Sequence, residues 1–102
     1  MLRIFTAVST YSIMKPSETC SGNGMVDLDS KEECTDALHT LQNELPDTSQ
    51  VKDLTNHLPD RPAKCFYSTN QKNVHWNTHS HGSPCSTCRS ICKGKGINIF
   101  VL

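Results

Sequence analysis

Six cysteines, at positions 20, 34, 65, 85, 88 and 92, stand in a chain of 102 residues. They weigh heavily because the apolar complement is lean: Leu, Ile, Val and Phe number 8, 5, 5 and 3, and hydrophobic residues make up 35% of the sequence. One domain of this length removes only about two-thirds of its unfolded surface from water, so burial alone leaves a thin margin. A disulfide restricts the unfolded ensemble and contributes roughly 2 to 4 kcal/mol, and it persists only in an oxidising compartment. An even cysteine count in a small polar chain therefore reads as a secreted or cell-surface disulfide framework, for which sequence alone allows roughly 15 pairings.

Charge and hydropathy narrow the partners. Ten basic and ten acidic residues balance to zero, so no broad field draws the chain to nucleic acid or to an anionic membrane. No apolar run approaches the ~20 residues of a membrane span. The closing "INIFVL" reads instead as an edge or closing strand. A secretory signal needs an apolar run of about 7 to 15 residues after a basic start, and "MLRIFTAVSTYSIM" supplies Arg3 and then only Ile4 to Val8. Either the export signal lies outside this sequence, or Leu2 to Val8 is a strand of the mature domain, or the protein stays inside the cell.

Leu2 to Met14 is rich in β-branched and aromatic residues and predicts one or two short strands before Pro16. "CSGNG" turns the chain beside Cys20. In "DSKEECTDALHTLQNEL", Ser30 and Glu33 form a capping box. Cys34, Leu38, Leu41 and Leu45 then recur at helical spacing, which predicts a helix over 31–45 ended by Pro46. Val51, Leu54 and Leu58 keep that period and predict a second, weaker helix over 49–58, with an irregular loop as the alternative. "KCFYS" and "VHW" flank the polar "TNQKN" as the two strands of a hairpin, with Cys65 on the first. After Asn77 the chain becomes rich in Gly and Ser and too punctuated for a long helix.

A helix bearing "EECTDAL", then Pro62, Cys65, Phe66 and Tyr67 as "PxxCFY", then "WNTHSHGS" and a terminal "ICK", resembles a family of small cysteine-rich extracellular modules without an assigned biochemical role. The resemblance spans roughly residues 11–93. The pattern has a helix cysteine preceding a strand "GC(Y/F)" and an aromatic-Asn-Thr-His run, so it puts Gly where this chain has Lys64. More loosely, a helix tied to a small antiparallel sheet is similar to the apple or PAN modules. Cys85 and Cys88 are additions to the pattern.

The His and Cys cluster "VHWNTHSHGSPCSTCRSIC" admits several chemistries. Tetrahedral zinc needs four Cys or His ligands; His79, His81, Cys85 and Cys88 supply one set, with His75 or Cys92 as substitutes. The second CxxC or HxxxH half is missing. A redox CxxC draws its low thiol pKa from a helix N-terminus, and "PCSTCRSICK" leaves room for only one turn. A Cys–His nucleophile needs an orienting third group, which nothing here selects. Crosslinks are the reading that gives every cysteine a role. Helix-to-sheet packing brings Cys34 and Cys65 within the Cα separation that a disulfide requires. Cys20 with Cys92 would tie the ends, and Cys85 pairs with Cys88, or with Cys92 as the competing choice.

Trp76, Asn77, Tyr67 and His79 supply an aromatic and polar face suited to a sugar or a protein partner, although a lone Trp in so lean a chain more often packs in the core. Arg89, Lys93 and Lys95 form a short basic cluster of the kind usual in solvated turns. The expected object is a single disulfide-rich α+β domain, one capped helix on a short antiparallel sheet. It would be a non-enzymatic, extracellular binding module for a protein or glycan, without a cofactor. The rival class is a small intracellular zinc protein.

Overall fold

The computed structural model describes residues 7–8, 10–45, 50–54, 60–79, 82–94 and 97–98. Its helix, α1 (Lys31–Thr40), starts where the capping residues put it. Ser30 Oγ accepts the Glu33 amide at 3.0 Å, and the Glu33 carboxylate accepts the amide of Asp29 at 2.7 Å, one residue upstream of the usual reciprocal partner. The last expected helical turn is not α-helical. At Leu41 the backbone opens to ψ 13°, and tighter bonds follow, with the Glu44 amide on Leu41 O at 2.8 Å and the Leu45 amide shared between Leu41 O and Gln42 O. Leu41 and Leu45 keep their inward positions through this tightened end. With Cys34, Ala37 and Leu38 they form the buried stripe.

The strands are β1 (Ala7–Val8), β2 (Tyr11–Ile13), β3 (Val26–Asp27), β4 (Val51–Leu54), β5 (Lys64–Ser68), β6 (Asn73–Asn77), β7 (Cys88–Lys93) and β8 (Ile97–Asn98). β1 and β8 pair with each other. The larger sheet runs β2-β7-β5-β6-β4, with β3 also on β7. β5 and β6 form the expected hairpin, in which Cys65 faces Trp76 and Phe66 faces His75. β7, built from "CRSICK", lies between β2 and β5 and is antiparallel to both.

β4 corrects the weaker of the two predicted helices: Val51 to Leu54 are extended and run parallel to Val74–Asn77. The rest of that span, residues 49 and 55–58, lies outside the described residues. A helix of some ten residues is marginal in water on its own. Alignment along an open strand edge gives the same backbone amides partners at once, while Val51 packs against the core. The sheet is therefore mixed, antiparallel except at this edge.

Both faces of the sheet are covered. Cys65, Tyr67, Val74, Trp76 and Ile91 meet the α1 stripe together with Leu28. Alternation sends Phe66, Ser68, His75 and Ser90 to the other side. There Cys92 joins Met14 and Cys20 in a second small cluster. His75 and Trp76 face opposite ways, and both are covered, since His75 is 5% exposed and Trp76 is half-buried.

Candidate functional site

Three disulfides link Cys34 to Cys65, Cys20 to Cys92 and Cys85 to Cys88, with Cα separations of 5.6, 5.6 and 5.1 Å. The first joins α1 to β5 through the core. The second fastens the segment before the Ser21–Asn23 turn to β7. The third closes the turn leading into β7, where the Cys88 amide donates to Cys85 O at 3.1 Å.

These bonds do not favour the zinc alternative. Cys85, Cys88 and Cys92 are held as disulfide sulfurs rather than thiolates, and among the described residues no three His, Cys, Asp or Glu side chains converge as ligands. His81 lies outside the described residues. The CxxC pair sits in a turn before a strand, without the helix N-terminus that would favour a thiolate.

The four residues read as a ligand face are placed separately. Tyr67 and Trp76 are partly buried on the helix side of the sheet, packed against the core. Asn77 is 1% exposed. Its Nδ2 donates to Pro62 O at 3.0 Å and to Arg61 O at 3.4 Å, while its Oδ1 accepts the His79 amide at 3.1 Å. Asn77 thus fastens segment 60–63 to the sheet, and His79 follows it in an intermediate position. The basic cluster is also absorbed into structure. Arg89 Nε donates to Met14 O at 2.7 Å, and Lys93 Nζ bridges Asp29 and Glu33 at 2.7 and 3.1 Å. That bridge holds the Lys93 ammonium above its ordinary pKa and the Asp29 carboxyl below its own. Lys95 lies outside the described residues.

The concave surface lies on the opposite side of the sheet from α1, where irregular segments cross it. Segment 82–84 lies directly against 61–63. The Ser83 amide donates to Arg61 O at 2.8 Å, and a Cβ on Gly82 would come within 2.6 Å of the Pro62 carbonyl carbon and closer still to Ala63 N and Arg61 O. Glycine is therefore required for the approach. Beside this contact opens a groove of about 300 Å³, which presents the hydroxyl residues Thr19, Ser21, Ser83 and Ser90 together with Asp27. Partial desolvation in the groove raises the Asp27 carboxyl above the usual carboxylate range, and Lys64 pulls the other way. A second recess, of about 120 Å³, lies over Phe66 and His75.

None of the five polar groove residues is prominent in the sequence. They belong to four separate segments, brought together by the Cys20–Cys92 link, the β3–β7 pairing, the Ser83–Arg61 backbone contact and the Asn77 clamp. The one local hint is "HGSP", where Gly82 marks a close backbone approach.

Compared with protein-family models, with curated proteins and with solved structures, the chain matches none.

Proposed function

We propose that this chain is a recognition module of an oxidising, extracellular compartment, and that the groove beside Asp27 seats a hydroxyl-rich ligand such as a glycan. The observation that carries this reading is the groove's lining, four hydroxyl side chains around one carboxylate, held between segments that disulfides fasten to the sheet. Ser and Thr hydroxyls donate to and accept from sugar hydroxyls, and a carboxylate accepts from them. A groove held open in advance loses less conformational freedom on association. The extracellular setting rests on three disulfides in a chain this small. Among the described residues no helix is long and apolar enough to cross a membrane. Membership in the cysteine-rich family that the sequence resembles, and the looser apple or PAN likeness, belong to the same proposal. So do the absence of catalysis and a contribution from Tyr67, Trp76 and His79 at the rim of a larger contact.

The test is amide chemical-shift mapping of the oxidised protein with a panel of neutral oligosaccharides. Saturable shifts at Thr19, Ser21, Ser83 and Ser90, weakened in Asp27→Ala, are expected. Shifts confined to the Tyr67 and Trp76 face, or a native mass equal to that of the fully reduced chain, would overturn the reading.

A further inference from the structure

Among the described residues, Nδ1 of His75 is the one buried side-chain nitrogen or oxygen without a hydrogen-bond partner. Native structures rarely leave such an atom unmatched, and a site for an absent group is one of the few explanations. His75 is stacked on Phe66, with ring centroids 5.2 Å apart and planes at 26°. His75 and Phe66 belong to the lining of a recess of about 120 Å³, with Arg61, Ser68, Asn70, Gln71 and Thr87. That volume suits one small functional group.

The lining sets the charge of the occupant. Among the described residues, the charged groups acting on His75 are Lys52 of β4 and Arg61 of segment 60–63, both cationic; together with burial they hold the imidazole below its ordinary pKa. Arg61 has an ion pair of its own, Nη1 to Asp60 Oδ2 at 3.2 Å, but the Asp60 carboxylate is largely in water. An exposed pair of that kind is weakly held and exchangeable. Ser68 Oγ accepts the Gln71 amide at 3.3 Å, and its own hydrogen is left to donate. One guanidinium, one imidazole N–H and one hydroxyl match a planar monoanion, for which Arg offers a two-pronged fit.

We propose that this recess binds a single carboxylate group, held by Arg61, the Nδ1–H of His75 and the Ser68 hydroxyl. The groove beside Asp27 shares none of these residues, so the two sites stand or fall separately. A bound carboxylate favours the protonated imidazole, so binding tightens as the pH falls below neutrality.

The test titrates the oxidised protein with sodium acetate, against sodium chloride at equal ionic strength, and follows the His75 ring nitrogens and the amides of Ser68, Gln71 and Thr87. Acetate is expected to give saturable shifts that chloride does not, with at least a tenfold loss of affinity in Arg61→Gln. His75→Phe, which keeps the ring stack, is expected to abolish saturation while leaving shifts elsewhere unchanged. A short peptide with one glutamate provides the second arm. Tighter binding of the peptide than of acetate assigns the carboxylate to a polypeptide side chain, and equal or weaker binding assigns it to a small acid. Identical responses to acetate and chloride, unchanged acetate affinity in Arg61→Gln, or saturation by sulfate but not by acetate would overturn the proposal.

Discussion

The ammonium of Lys64 lies over the ring of Trp76, 5.9 Å from its centroid, and the residue reaches that position from a left-handed backbone with φ 67°. A side chain in that region costs roughly 1 to 2 kcal/mol, which glycine would avoid. The contact returns part of it, about 0.5 to 1 kcal/mol at an exposed site. Lys64→Ala keeps the backbone cost and loses the contact, whereas Lys64→Gly loses both. Denaturant unfolding of the oxidised proteins is expected to find Lys64→Gly more stable than Lys64→Ala by about 1 kcal/mol. Equal midpoints would contradict the left-handed assignment.

The three disulfides should contribute unequally. They close loops with sequence separations of 72, 31 and 3, for which chain entropy gives about 4, just under 4 and about 2 kcal/mol. Access sets the shortest loop apart in the same direction, because Cys20, Cys92, Cys34 and Cys65 are all buried while Cys85 is partly exposed. Timed reduction with alkylation and peptide mass analysis is expected to open Cys85–Cys88 first, with the fold intact. Replacing Cys34 and Cys65 together by Ala should lower stability by about 3 to 4 kcal/mol.

Local signals in the sequence specified what local physics controls. Ser30 with Glu33, and the stripe from Cys34 to Leu38, are set within one element, and Leu41 and Leu45 continue the stripe past its α-helical end. The hairpin strands around "TNQKN" follow from β-branched and aromatic residues bounded by turn formers. The Cys34–Cys65 pair follows from packing, once the helix stripe and the hairpin are known to meet, whereas the sequence leaves Cys85 a choice between Cys88 and Cys92. Two features were not legible. Val51 to Leu54 carries a weak period that fits helix or strand, and only the open edge of β6 decides between them. "CRSICK" lacks a clear alternation because both faces of β7 are covered, which makes Ser90, Ile91 and Cys92 consecutive buried residues. Asn77, expected in a ligand face, has its amide engaged in fastening segment 60–63, a contact with no local signal in the sequence.

That clamp makes Asn77 a sensitive position. Asn77→Ala leaves the Pro62 carbonyl and the His79 amide without their partner, at a cost of about 2 to 3 kcal/mol. Asn77→Asp can still accept from His79 but, ionised, opposes the Pro62 carbonyl at 3.0 Å with a second acceptor. Protonation restores a donor. Relative to the parent, the Asp variant is expected to lose more stability at pH 7 than at pH 4, whereas the deficit of Asn77→Ala should change little. Urea midpoints of the three proteins at both pH values check this.

His75 gives folding a pH dependence with a definite sign. Burial, then Lys52, then Arg61 hold its folded-state pKa below 6.5, the value that stands for the unfolded chain. As pH falls below about 6.5 the unfolded state takes up a proton that the folded state still refuses, so stability rises with pH across the window from the depressed value up to about 6.5. The contribution is complete above that window and is lost on descending through it. His75→Phe removes both this linkage and the unmatched Nδ1, while the ring stack with Phe66 is kept. In buffers free of carboxylic acids the variant is expected to match or exceed the parent at pH 7, by up to about 1 kcal/mol. Its advantage should grow as the pH is lowered toward 5. Parallel urea curves at half-unit steps would show this as a widening gap between midpoints, and a gap that narrows on acidification would mean that the imidazole is charged in the folded protein.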